Sequence, residues 1–180
     1  LGIEVRNYCK EHPGCAVVNL GCGLDCTAEN NAGEGCKIYN IDRPDVIAVR
    51  NELIPPAENV TNIGADLNDT VWFDAIDDSR GVVFFAAGVF YYFLSSDIQK
   101  LFTAMAERFK GGRLCFDAAN KKAVKLMLKT WVKAAGITDI DRYFYINNLD
   151  TDLKAWLPGT EISAKGYMLG YHDLKTPSVS

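Results

Sequence analysis

Gly21 and Gly23 flank Cys22 directly after the apolar run Val17-Val18-Asn19-Leu20. A Gly-x-Gly turn at the end of a buried strand lets a ligand approach the backbone with no side chain in the way. Position 26 is Cys, so the third glycine of the dinucleotide fingerprint Gly-x-Gly-x-x-Gly is missing. That glycine permits tight packing beside a pyrophosphate. A ligand without a pyrophosphate does not need it, and S-adenosylmethionine places its aminocarboxypropyl chain at this kind of turn, so the departure favours the methyl donor over NAD.

Asp42 follows about 20 residues later, at the end of the next apolar run, where a carboxylate can accept hydrogen bonds from both ribose hydroxyls of an adenosine ligand. An N-cap for the helix after Pro44 is the plainer role for Asp42, and Asp45 would serve equally. Asp66 and Leu67 come after the third run: the carboxylate can receive an adenine amino group and the apolar side chain can cover the ring, or the segment is simply a polar turn. Ala87 and Gly88, ahead of the aromatic stretch Phe90-Tyr91-Tyr92-Phe93, leave room for a sulfonium and its methyl group. Tyr92 is the acceptor-side candidate of that stretch, while Phe90 and Phe93 read as core. Methyl transfer is an in-line displacement that depends on alignment and exclusion of water. A hydroxyl acceptor gains from a base, and His12 and His172 are the only histidines; His172, after a tyrosine-rich terminal segment, is the one expected on the acceptor side.

The elements that must hold these residues are short apolar runs alternating with helical patterns, the mark of an α/β fold with a mostly parallel sheet. Strands are expected at Cys15 to Leu20, Lys37 to Ile41, Val60 to Gly64, Val82 to Ala87 and Arg113 to Asp117. Each candidate ligand residue then follows a strand C-terminus, the edge where open α/β sheets bind ligands. Ile98, Leu101, Phe102, Met105 and Phe109 follow helical spacing, with Ser96 and Gln99 spaced as a capping box and Gly111 as a stop. Val124, Leu128, Trp131 and Ala135 form a second stripe, ended by Gly136. Arg142 to Ile146 and Glu161 to Gly170 are expected as an antiparallel closing pair around a helix-like Asp150 to Trp156.

A length of 180 residues with 48% hydrophobic content suits a single domain spanning 1–180. A net charge of -4 gives no electrostatic reason to expect nucleic acid. Lys121, Lys122, Lys125, Lys129 and Lys133 fall mostly on one side of a helix and read as a solvated face. No apolar run approaches the roughly 20 residues that cross a bilayer. With no signal peptide in view and several of the six cysteines inside apolar runs, the expected compartment is a reducing cytoplasm. Cys22 and Cys26 lack the partners of a zinc pattern, so no metal is expected.

Taken together, Val17 to Asp25, Tyr39-Asn40-Ile41-Asp42-Arg43-Pro44-Asp45-Val46-Ile47 and Ala87 to Tyr92 resemble the leucine carboxyl methyltransferase superfamily, especially its polyketide O-methyltransferase branch. The resemblance covers roughly residues 5 to 120 well and the rest loosely. It implies a Rossmann-like class I methyltransferase fold of seven strands, mostly parallel, with helices on both faces and an antiparallel C-terminal strand. It implies Gly21, Cys22 and Gly23 beside the methionine part of S-adenosyl-L-methionine, Asp42 with neighbouring Arg43 at the ribose, Asp66 with Leu67 at the adenine, and Ala87 near the methyl group. Related proteins often have an arginine soon after Gly-Leu-Asp, where this chain has Cys26 and Thr27, and carboxyl methyltransferases tend to have glutamate where Ala87 stands. Relatives also have upstream helices that form a lid, which the 1–180 domain is expected to lack. The expected activity is methylation of a small-molecule hydroxyl or carboxyl acceptor, polyketide-like or phenolic, with S-adenosyl-L-homocysteine as product. A non-catalytic donor-binding module and an NAD(P)-dependent oxidoreductase are the alternatives.

Overall fold

The computed structural model describes residues 1–126 and 143–166. Among the described residues, five of the seven expected strands, β1 (Ala16–Leu20), β2 (Lys37–Asp42), β3 (Val60–Gly64), β4 (Val82–Ala86) and β5 (Arg113–Phe116), form one parallel sheet in the order β3-β2-β1-β4-β5. Strand order reverses after β3, when the chain returns to lay β4 beside β1, and a crevice opens at the C-terminal ends of those two strands. Every residue of β1 and β4 is buried, because helices cover both faces of the sheet centre. The edge strand β3 is only partly covered.

Alternation along the strands sorts two cores. Ala16, Val18, Leu20, Phe84 and Ala86 face α4 (Ser95–Arg108) through Ile98, Leu101, Phe102 and Met105, with Trp72 and Phe73 filling the side below. Val17, Ile38, Val83 and Phe85 face α1 (Gly2–Glu11) and α2 (Thr27–Asn31) through Val5, Tyr8 and Ala28. The remaining long helix, α3 (Pro44–Leu53), follows β2 and packs beside β3.

The expected strands lie within one residue of those observed, since apolar runs bounded by turns mark them. The expected cap of α4 differs: its N-cap is Leu94, without a side-chain cap, and Ser96 and Gln99 form no box. Ser95 Oγ instead donates to the Tyr143 carbonyl at 3.1 Å, so a tertiary contact fixes this helix start.

The expected antiparallel closing pair is also not present among the described residues. Tyr143 forms a single antiparallel bridge to Leu94. The backbone N–H of Phe144 donates to Phe93 and that of Ile146 to Ala119, so the segment's hydrogen bonds diverge to two loops and build no ladder. Residues 161–166, the described part of Glu161 to Gly170, contain no strand, and the helical part of Asp150 to Trp156 is one turn, Leu149–Asp152.

Residues 121–126 are helical, with Val124 buried and Lys122 and Lys125 exposed, as a solvated lysine face requires. Leu128, Lys129, Trp131, Lys133, Ala135 and Gly136 lie outside the described residues. Among those described, no helix is long and apolar enough to cross a membrane.

Candidate functional site

At the end of β1 the backbone N–H groups of Gly21 and Cys22 both donate to the Ile41 carbonyl, at 2.8 and 3.1 Å, which bends the chain across the top of β2. Gly21 has φ of 66° and Gly23 of 49°, backbone that disfavours a side chain. A Cβ on Gly21 would also stand 2.7 Å from Val89 Cγ2, whereas around Gly23 the space is open. The first glycine lets the β4 loop close in.

Asp42, at the last position of β2, spans this loop and the next. Its Oδ2 accepts the Gly23 N–H at 2.7 Å and its Oδ1 the Arg43 N–H at 2.8 Å. Neither Asp42 nor Asp45 caps α3, whose N-cap is Arg43 without a side-chain cap. Asp45 instead holds the Arg43 guanidinium through two bonds of 3.1 and 2.9 Å. Each Asp42 oxygen keeps further acceptor capacity for a ligand hydroxyl.

Behind the loop lies Arg50, a residue that its position on α3 gave no reason to single out. It is fully buried. Its Nη1 donates to the carbonyls of Gly23 and Asp25, both at 2.9 Å, and its Nη2 to Glu29 Oε1 at 2.7 Å. Asp25 in turn accepts from Asn19 Nδ2 and Thr27 Oγ1. One helix thus fixes the two carbonyls that set the path of the glycine turn.

A cavity of about 530 Å³ opens in front of these elements, lined by Gly21, Asp42, Arg43, Asp66, Leu67, Gly88, Val89 and Tyr92, with Phe93, Leu94, Asp97 and Tyr143 among the rest. Asp66 Oδ1 accepts the Asn68 N–H at 2.9 Å, and Asp69, not Asp66, caps the following short helix. Leu67 is buried. Asp97 is paired with Lys100 and the Arg43 guanidinium with Asp45, which leaves Asp42 and Asp66 as carboxylates without a cationic partner in the lining, so that end of the cavity favours a positively charged ligand.

Of the expected residues, Gly21, Asp42, Arg43, Asp66, Leu67 and Tyr92 line this one cavity. Cys22 and Gly23 form the loop without lining it, and exposed Ala87 stands outside the lining, its place taken by Gly88. Phe90 is core as expected, while Phe93 packs against the core and also reaches the cavity. His172 lies outside the described residues. Asp117 was not foreseen: its Oδ1 accepts the Gly88 N–H at 2.7 Å and its Oδ2 the Tyr91 hydroxyl at 2.6 Å, which fixes the β4 loop.

Burial pushes the Cys22 thiol up to about 12, with Asp42 adding to the effect and Arg50 opposing it. The reactive form of a cysteine is the thiolate, so Cys22 stays protonated and inert at pH 8. Limited iodoacetamide labelling at pH 8 is expected to modify the less buried Cys26 before Cys22, as read by peptide mapping. The reverse order would mean that the glycine turn is open.

Comparison with known proteins bears on this geometry. The family model for leucine carboxyl methyltransferase matches residues 6–106. The tetracenomycin polyketide synthesis O-methyltransferase TcmP of Streptomyces glaucescens is 29% identical over 108 residues, 59% of this chain and 40% of TcmP. The chain therefore spans well under half the length of that relative. Among solved structures, human N-acetylserotonin methyltransferase in complex with SAM matches with a TM-score of 0.51 at 16% identity, over 72% of this chain and 38% of that one. Magnesium protoporphyrin IX methyltransferase from Synechocystis PCC 6803 with bound SAH matches with a TM-score of 0.51 at 17% identity, over 86% of this chain and 68% of that one. Identities this low speak for the shared Rossmann-like fold.

Proposed function

The chain belongs to the leucine carboxyl methyltransferase family, and from that premise we propose that its cavity binds S-adenosyl-L-methionine and that the protein methylates a small acceptor, releasing S-adenosyl-L-homocysteine. The observation that carries this reading is the acidic cavity beside a glycine turn that lacks the pyrophosphate-type third glycine. A sulfonium and an ammonium suit that charge, and a pyrophosphate does not. The residues fit the donor: Gly21 and Gly88 line the cavity with bare backbone, and Asp42, Asp66 and Leu67 line it with side chains.

Gly21, Cys22 and Gly23 would border the methionine part and offer carbonyls to its ammonium, since their N–H groups already donate to Ile41 and Asp42. Asp42, flanked by Arg43, would accept the ribose hydroxyls, and Asp66 with Leu67 would meet the adenine; Ala87 and Gly88 would leave room at the methyl end. When bound, the donor supplies a methyl carbon activated by its sulfonium. The chain's residues align an oxygen with that carbon, exclude water and take up a proton.

On the acceptor side the cavity offers Tyr92, Phe93 and Tyr143 with one carboxylate, Asp97, whose neighbour Lys100 stands at 3.6 Å. Aromatic walls with one acidic group suit a phenolic or polyketide-like hydroxyl, and the likeness to a tetracenomycin polyketide synthesis O-methyltransferase supports screening that class first. Tyr92 would orient the acceptor oxygen, with His172 receiving its proton. In an acceptor screen read by release of S-adenosylhomocysteine, Tyr92→Phe and His172→Ala are each expected to lower kcat by about a hundredfold, the scale of lost acid–base help. Unchanged turnover in either variant would remove that residue from the mechanism. Donor binding without transfer to any acceptor would favour a binding module.

A further inference from the structure

At the sheet edge opposite the cavity, three thiols from separate elements meet. Cys15 stands just before β1, Cys36 just before β2, and Cys9 on α1. The Cys15 Sγ lies 3.8 Å from that of Cys9 and 3.8 Å from that of Cys36, and the three sulfurs lie within 4.8 Å of one another. All three are buried, Cys9 at 5%, Cys15 at 0% and Cys36 at 1% exposure. No fourth His, Cys, Asp or Glu joins them among the described residues. The apolar side chains of Val5, Val17, Ala28, Ile38 and Phe85 belong to the same buried cluster as the three thiols.

These facts select a ligand by charge. Three thiolates around a monovalent copper carry a net charge of about -2, and around zinc about -1, and burying such a charge among apolar side chains without a countercharge is costly. Zinc also requires a fourth ligand in a structural site. A trivalent centre with three thiolates is neutral. Access exists at Gly33, an exposed residue on which a Cβ would lie 3.4 Å from Cys9 Cβ and 3.7 Å from Cys36 Sγ, so that bare backbone is what covers the thiols.

We propose that Cys9, Cys15 and Cys36 form a binding site for a soft trivalent metalloid of the arsenite class. Binding is a condensation: three S–H and three As–O bonds break, three As–S bonds form, and each departing hydroxide leaves with a thiol proton as water. Nothing is oxidised or reduced, and no charge is buried. The bound centre ties α1 to the starts of β1 and β2, stabilising the fold while leaving the cavity at the other edge free.

The test is titration of the reduced chain with sodium arsenite under nitrogen. One arsenic is expected per chain, with the mass rising by one arsenic less three hydrogens and three of the six thiols becoming resistant to alkylation after unfolding. Peptide mapping of the unmutated protein should find those three at Cys9, Cys15 and Cys36, a readout that does not depend on how variants fold. Cys36→Ser should weaken binding by roughly a hundredfold, the scale of losing one intramolecular attachment, and Cys115→Ser should leave it unchanged. Arsenic held by Cys22, Cys26 or Cys115, fewer than three thiols consumed, or tighter binding of zinc in competition would each overturn the proposal.

Discussion

An Asp42→Ala variant is expected to bind S-adenosylhomocysteine about a hundredfold or more weakly than the parent chain. Asp42 is the one carboxylate that both lines the cavity and anchors the glycine turn, through the Gly23 N–H at 2.7 Å. Two ribose hydroxyls would each lose a charged acceptor, and a hydrogen bond to a charged group contributes about 1.5–3 kcal/mol. Asp42→Asn keeps one side-chain acceptor and should lose roughly tenfold. The Gly23 and Arg43 N–H groups also lose their charged acceptor, so stability should fall as well, by about 1–3 kcal/mol in Asp42→Ala. Titration calorimetry of both variants alongside a urea melt separates the two effects, and unchanged affinity would take Asp42 out of the site.

The second large effect falls on stability. Arg50→Met should destabilise the chain by about 3–5 kcal/mol, because removing one member of a buried ion pair leaves its partner uncompensated. Three bonds vanish at once, and the carbonyls of Gly23 and Asp25 lose their donor. The Glu29 side chain is 24% exposed against 1% for Arg50, so the freed carboxylate can draw on water and the loss should sit at the lower end of that range. Adding Glu29→Gln to Arg50→Met should recover part of it. Urea unfolding of the parent, both single variants and the pair measures the coupling; an Arg50→Met midpoint equal to that of the parent would show that the turn holds its shape without the guanidinium.

The strands and the ligand-binding edge were legible in the sequence because their signal is local. Apolar runs such as Val17 to Leu20 end at glycine or aspartate, and parallel pairing then sets Gly21, Asp42 and Asp66 at one edge. What sequence could not supply depends on partners far along the chain. Arg50, on a helix with exposed neighbours, reads as a surface cation until the fold turns it under the glycine loop. Ser96 and Gln99 have capping spacing, yet Ser95 is used by Tyr143, 48 residues away. The Arg142 to Ile146 segment alternates like a strand, with Phe144 buried in one core and Tyr145 packed against another, but its backbone bonds run to two separate loops. Cys9, Cys15 and Cys36 carry no spacing motif, and meet only because parallel strands start at a common edge.

The most direct test of the central claim is a calorimetric titration of the purified chain with S-adenosylhomocysteine, with NADH as the parallel titrant. Saturable binding of the homocysteine product at one site, with none of NADH, is the predicted result. Binding of NADH alone would contradict the methyl-donor assignment of the cavity.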